Sequence, residues 1–212
     1  IQAEAEKLSD ALDHLDQYDG VVVGMDPFGK AEFEKASRLK VIMKFGVGVE
    51  NIDQECAAQR GVAVKNMPGV NNEAVAEMAF SLMICAARKV AEGDRAVRAG
   101  QWPRLVGTSL HGKTLGIVGT GAIGRTLAGY TAGFHMRLLG YDTFPNQAFR
   151  DMGGEYVSLE ELLAQSDFVS IHVPLLPDTV HLFNQRTFEK MKPTAILINT
   201  SRGPVVDEKA LY

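Results

Sequence analysis

The hydrophobic pattern alternates helix and strand almost from the start of the chain. Leu8, Ala11, Leu12 and Leu15 recur at helical spacing. Gly20 to Gly24 is a short, wholly apolar strand, a polar helix-like stretch runs on to Arg38, and Leu39 to Met43 forms the next strand. After the loop Phe45-Gly-Val-Gly-Val49 the pattern predicts a helix over Ile52 to Arg60, with Gly61 as its C-terminal stop. Val62 to Val64 then resumes the sheet. Strands this short and this uniformly apolar belong to parallel sheets covered by helices on both faces.

Pro68-Gly69 breaks the pattern, and a long helix is expected from Glu73 to Arg98, with Asn71 and Asn72 suited to capping it. A helix of that length at a change of pattern marks a domain boundary near residue 74, giving domains 1–74 and 75–212. Past it, strands are expected at Leu115–Val118, Arg137–Tyr141, Glu155–Val157, Phe168–Val173 and Ala195–Ile198. Helices are expected at Ala122–Gly133, around Ala148, at Leu159–Gln165 and from Asp207 on. This is the α/β alternation of a doubly wound parallel sheet. Both halves read as incomplete, the first beginning late and the second still being wound at Tyr212.

Composition narrows the function. The 212 residues are 46% hydrophobic and 23% charged, with a formal net charge of −4 and both signs mixed along the chain. No basic stripe follows a phosphate backbone, so nucleic acid is not an expected partner. The longest apolar run, Met78 to Ala87, includes Ser81 and is too short to span a bilayer. It reads as a buried helix, and no membrane partner is expected. The chain opens Ile-Gln-Ala-Glu without a signal-like segment or an initiator Met. Two cysteines, Cys56 and Cys85, suit a reducing compartment, and the cytoplasm is the expected location.

The chemistry gathers around Gly119-Thr-Gly121-Ala-Ile-Gly124, which follows the strand Leu115–Val118 and opens a helix. In that context a G-x-G-x-x-G run is a dinucleotide fingerprint. Gly119 permits the tight turn, Gly121 lets the backbone approach a pyrophosphate, and Gly124 lets the helix pack on the strand. The helix start at Ala122 and Ile123 offers unpaired N–H groups and a partial positive charge to the phosphates. Asp142 ends the next strand, where a carboxylate accepts the adenosine ribose hydroxyls and repels a 2′-phosphate. The following Thr143-Phe-Pro145 brings no Arg to offset that repulsion, so the expected cofactor is NAD rather than NADP. No metal is expected.

These residues resemble the D-isomer-specific 2-hydroxyacid dehydrogenases, and the phosphoglycerate dehydrogenases among them most. The resemblance spans essentially the whole chain. It is carried by Phe45-Gly-Val-Gly-Val-Glu-Asn-Ile-Asp53, Pro68-Gly-Val-Asn-Asn-Glu-Ala-Val-Ala-Glu77 and Leu110 to Gly124, then by Ser170-Ile-His-Val-Pro-Leu175 and Ile198-Asn-Thr-Ser-Arg-Gly203. It implies a Rossmann NAD domain beside a smaller flavodoxin-like substrate domain, and a homodimer. By the same resemblance, Val47 and Gly48 face the substrate, their N–H groups forming an anion nest. Lys44 at the mouth of that loop either adds positive charge or is a solvated strand-end lysine. Asn71 is either a substrate contact or a helix cap, and Val75 lies toward the nicotinamide end of the cofactor. Val173, Pro174 and Thr179 flank the adenosine, and Thr200 and Ser201 contact the nicotinamide side.

Arg202 matches the family's catalytic arginine and also borders the cofactor. Its planar guanidinium can fork onto a substrate carboxylate and polarise the adjacent carbonyl. The plainer reading pairs it with Asp207 or Glu208. His172 lies inside an apolar strand and reads as structural. The family's acid–base Glu and His fall after the arginine, and His14, His111, His135 and His181 match neither. The expectation is therefore a chain truncated at both ends which, alone, binds NAD poorly and turns nothing over. The implied activity is hydride transfer between NAD and a D-2-hydroxy acid or its 2-oxo acid, with 3-phosphoglycerate the substrate the resemblance suggests. An alternative is an NAD(H)-sensing binding protein like the C-terminal-binding-protein corepressors, which share these motifs. Formate dehydrogenases are a more distant likeness.

Overall fold

Short apolar runs become parallel strands in both halves of the chain. A computed structural model describes residues 8–212, in which two units separate, one ending at Asn71 and the other running from Asn72 to Tyr212. The division falls at the start of the long helix rather than inside it.

In the first unit, α1 (Leu8–Ala11) tightens into a 3-10 turn over Leu12–Gln17 instead of continuing as one helix. β1 (Gly20–Val23), α2 (Lys30–Lys35), β2 (Val41–Lys44), α3 (Gln54–Gln59) and β3 (Ala63–Lys65) follow, and the sheet has the order β1-β2-β3. All its pairings are parallel. Asp53 caps α3 by accepting from the Cys56 N–H at 2.9 Å, which starts the helix two residues later than the pattern suggests. Leu15, Val23, Phe28, Phe33, Ile42 and Ile52 form the core, with Phe28 and Phe33 edge to face at 4.9 Å. Among the described residues one face of this sheet is left uncovered. Successive side chains of a strand point to opposite faces, so β2 buries Ile42 and Lys44 while Val41 and Met43 are exposed, and Val22 beside them is 71% exposed.

The second unit opens with α4 (Asn72–Ala87) and α5 (Val90–Arg98). One continuous helix was expected across this span. It breaks because Thr108, in an extended segment, donates its N–H to the Ala87 carbonyl at 2.8 Å, while Lys89 turns into the left-handed region at φ 55°. The Ala87 carbonyl is thereby satisfied from outside the helix. Nor is the apolar run along α4 wholly buried. Ala76, Ala79, Met83 and Ala87 pack inward, whereas Met78 is 56% exposed and Leu82 is exposed beside it.

β4 (Thr114–Val118), α6 (Ala122–Tyr130), β5 (Arg137–Tyr141), α7 (Gln147–Asp151) and β6 (Glu155–Tyr156) come next. They are followed by α8 (Leu159–Gln165), β7 (Phe168–Ile171), α9 (Gln185–Phe188), β8 (Ile196–Asn199) and α10 (Glu208–Leu211). The five strands are parallel in the order β6-β5-β4-β7-β8. The chain leaves β4 toward β5 and later returns to β4's other side, so β4 is the switch point at which such sheets bind ligands. Here both faces are covered. Leu115, Ile117, Leu127 and Phe168 pack with α4 on one side, and Val118, Leu139, Leu162, Val169, Ile171 and Phe183 on the other.

Phe149 fills the space that two glycines leave. A Cβ on Gly140 or Gly154 would come within 2.5 and 2.3 Å of its ring. Phe149→Ala opens a cavity beside Gly140 and Gly154, which have no side chains to fill it, and is expected to destabilise this unit by about 3–5 kcal/mol in urea unfolding followed by circular dichroism.

Candidate functional site

Strand register lines up the site. Val118 pairs with Tyr141 on one side and Ile171 on the other, and Ile171 pairs with Asn199. The residues that follow, Gly119, Asp142, His172 and Thr200, therefore leave the sheet side by side at its carboxyl edge.

Gly119 takes φ +96°, and a Cβ there would lie 2.8–2.9 Å from the backbone of His172 and Val173. Only glycine lets the turn pass this close to the next strand. Gly121 has open space where its Cβ would be, whereas a Cβ on Gly124 would meet the Gly119 carbonyl oxygen at 2.3 Å. The fingerprint glycines thus serve a strained turn, an open approach and a close helix contact. α6 begins at Ala122 with Gly121 as its cap residue and no side chain capping it, so the Ala122 and Ile123 N–H groups have no side-chain partner.

Asp142 is anchored by its own surroundings. Its Oδ2 accepts from the Thr120 N–H at 2.7 Å and the Thr120 hydroxyl at 3.1 Å, and its Oδ1 accepts from the Phe144 N–H at 2.9 Å. A carboxylate offers about four acceptor sites, so three donors leave room for one more hydroxyl rather than a full ribose pair. Val173 and Pro174 open the loop after β7. Thr179 closes that loop on itself, donating to the Pro174 carbonyl at 2.6 Å and accepting the Leu176 N–H at 2.8 Å.

After β8, Asn199 holds the turn. Its Oδ1 accepts from the Ser201 N–H at 2.9 Å and the Ser201 hydroxyl at 2.8 Å, and its Nδ2 donates to the Arg202 carbonyl at 3.0 Å. Thr200 Oγ1 is buried without a partner. Arg202 is exposed, and its Nη1 donates to the Ser201 carbonyl at 2.9 Å. Asp207 is engaged in capping α10, accepting from the Lys209 N–H at 3.0 Å. His172 is mostly buried, with Nε2 2.9 Å from the Ser170 hydroxyl and Nδ1 buried without a partner. Burial pushes its imidazole down to about 4, so it is neutral near pH 7.

In the first unit the Phe45–Val49 loop is pinned from β3's exit. Asn66 Nδ2 donates to the Val47 carbonyl at 2.6 Å, and the Met67 N–H donates to the Gly46 carbonyl at 2.9 Å. Lys44 is not a solvated strand-end residue. It is only 4% exposed, and its ammonium donates to the Gly24 carbonyl and, at 2.8 Å, to Asn51 Oδ1. It straps the loops after β1 and β2 together. Asn71 is exposed and does not cap α4 through its side chain, and Val75 is half-buried on α4. Asn51, Thr120 and Asn199 lie inside the motif blocks but take no role from the sequence, and Tyr156 lies outside every block, because each acts through partners fixed by the fold. No group of three or more metal-ligating side chains occurs among the described residues.

The sheet reversal, the open glycine turn, the uncapped helix start, the anchored carboxylate after β5 and the unpartnered Thr200 hydroxyl all fit NAD. Together they define a Rossmann-type dinucleotide-binding domain. The chain belongs to the D-isomer specific 2-hydroxyacid dehydrogenases, and residues 80–212 match that family's NAD binding domain. It is 47% identical over 194 residues to a glyoxylate reductase of Korarchaeum cryptofilum, covering 88% of this chain and 58% of that protein. It is 42% identical over 183 residues to a D-3-phosphoglycerate dehydrogenase of Methanocaldococcus jannaschii, covering 84% of this chain and 35% of that one. Among solved structures, D-lactate dehydrogenase from Aquifex aeolicus, complexed with NAD and lactic acid, superposes with a TM-score of 0.86 at 32% identity. That match covers 98% of this chain and 62% of the other. The chain thus spans about 58% of the length of the glyoxylate reductase it matches. No helix among the described residues is long and apolar enough to cross a membrane.

His172 makes stability depend on pH. An unfolded histidine binds its proton near pH 6.5, well before the folded one at about 4, so the unfolded state carries more protons between these values. Stability is full above about pH 6.5 and falls as the pH drops toward 4. Urea unfolding is expected to lose about 2 kcal/mol between about pH 6.5 and 5, and His172→Gln to flatten that slope.

Proposed function

We propose that the intact protein is an NAD-dependent dehydrogenase that interconverts a D-2-hydroxy acid and its 2-oxo acid in the cytoplasm. In this reading the Asn72–Tyr212 unit holds the cofactor and residues 1–71 belong to the substrate domain. The observation that carries it is the row Gly119, Asp142 and Thr200 at the sheet edge, with Arg202 directly after it. Asp142 takes an adenosine ribose hydroxyl, the α6 start takes the pyrophosphate, Val75, Val173, Pro174 and Thr179 line the dinucleotide, and Thr200 and Ser201 receive its nicotinamide side. When bound there, reduced NAD would supply the hydride that the oxo acid needs.

The chain's own residues bind and orient the oxo acid, while the proton that completes its hydroxyl would come from the acid–base His that the family resemblance places after Arg202. Arg202 forks onto the substrate carboxylate and polarises the neighbouring carbonyl, which holds C2 for attack. The Val47 and Gly48 N–H groups act as a nest for a carboxylate, and Asn71 adds a polar contact. The names of the relatives favour glyoxylate or the oxo acid of 3-phosphoglycerate as the substrate to try first.

A homodimer through the second unit accounts for its uncovered apolar side chains. Met78 and Leu82 are exposed on α4, α5 buries no residue, and Trp102 is 88% exposed on the segment that follows. Leu82→Arg is expected to move the protein from dimer to monomer in light scattering after gel filtration, and an unchanged mass would remove this assignment.

Steady-state oxidation of NADH with glyoxylate and with 3-phosphohydroxypyruvate tests the activity. Arg202→Gln is expected to lower kcat/KM about a hundredfold or more while changing NADH affinity far less. An intact protein that binds NADH and reduces neither acid would favour the corepressor-like alternative.

A further inference from the structure

We propose that Tyr156 is a positioning residue for dinucleotide recognition, holding Asp142 through Thr120 and so setting the preference for NAD over NADP. The proposal rests on the NAD reading above. It begins with proton counting around Thr120, a fully buried residue of the fingerprint turn. The Thr120 hydroxyl has one proton and lies 3.1 Å from Asp142 Oδ2, an atom that can only accept. That proton is committed to Asp142. In the 2.6 Å contact between Thr120 Oγ1 and the Tyr156 hydroxyl, Tyr156 is therefore the donor. The Tyr156 oxygen in turn accepts the Asn146 N–H at 3.0 Å. The bonds run in one direction, from the Asn146 N–H through Tyr156 and Thr120 to the carboxylate, and each polarises the next.

Other contacts fix the two ends of this relay. Asn146 Nδ2 donates to the Thr120 carbonyl at 3.0 Å and Asn146 Oδ1 accepts the Phe149 N–H at 3.0 Å, which locks α7 against the turn. The Tyr156 ring lies between Phe149, at 5.3 Å, and the guanidinium of Arg150, 5.1 Å from its centroid. Arg125 Nη1 donates to the Thr120 carbonyl at 3.1 Å. The nearby cations are thus already engaged with the turn and the ring rather than placed to receive a phosphate. An Asp142 carboxylate held by three donors cannot swing aside for a 2′-phosphate. Removing the far donor loosens the carboxylate, weakens its grip on the ribose and lowers its opposition to the phosphate.

The test is titration of the intact protein with NADH and with NADPH, read by nicotinamide fluorescence, for wild type, Tyr156→Phe, Thr120→Val and the double variant. Tyr156→Phe removes one hydroxyl from a ring that keeps its packing. It is expected to weaken NADH binding about three- to tenfold and NADPH binding less, so that the preference for NADH falls. Because both residues act along one path, the double variant is expected to match Thr120→Val alone rather than multiply the two effects. A residue serving only the fold would lower the melting temperature and leave the NADH-to-NADPH ratio unmoved. Tyr156→Phe with an unchanged ratio, or effects that multiply in the double variant, overturns the proposal alone. Wild-type protein that binds neither dinucleotide overturns it together with the NAD reading.

Discussion

Parallel pairing of β4 with both β5 and β7 is the constraint on which the site depends. It brings three strand ends level at one edge, and β8 adds a fourth. Everything assigned to the cofactor then follows from what the chain places one residue beyond each strand. A turn without side chains follows β4, a carboxylate follows β5, a buried imidazole follows β7 and an unpartnered hydroxyl follows β8. A one-residue slip of any pairing would put a core side chain where the polar one now stands, because side chains alternate faces along a strand. Apolar packing on both faces holds the register, so the core and the site are specified together.

Burial gives these polar groups their character. Thr200 Oγ1 and His172 Nδ1 are withdrawn from water without a protein partner, a cost of order 1–3 kcal/mol each that an incoming polar group or a bound water offsets. Asp142 is the opposite case, with most of its acceptor capacity spent on the Thr120 and Phe144 N–H groups and the Thr120 hydroxyl. The sheet edge thus mixes polar groups without a protein partner with one held rigid by three donors. Rigid placement limits the ordering cost of binding.

Much of this was legible in the residues. Arg137–Tyr141 and Leu159–Gln165 form the elements their periodicity implies, residue for residue. The fingerprint lies between a strand and a helix, as its spacing requires. What was not legible depends on distant partners. The break after Ala87 is made by Thr108, which no local pattern names. Lys44 looks like a surface lysine until the Gly24 carbonyl and Asn51 are seen around its ammonium. The alternation in β2 was hidden because Val41 and Met43 are as apolar as Ile42, so periodicity could not separate the buried face from the exposed one. Tyr156 is absent from any motif reading, since its hydroxyl meets Thr120 in a turn that follows a different strand.

The fingerprint glycines have a consequence for how genetic changes here are interpreted. Gly119 lies against the backbone leaving β7, and Gly124 against the Gly119 carbonyl, before any ligand arrives. The neighbouring main chain by itself therefore constrains both positions. An allele that adds even a methyl group at Gly124 would damage packing first, and any loss of cofactor binding would be a symptom of that injury. Gly121, with nothing beside it, is the position where the same change would report on the ligand alone.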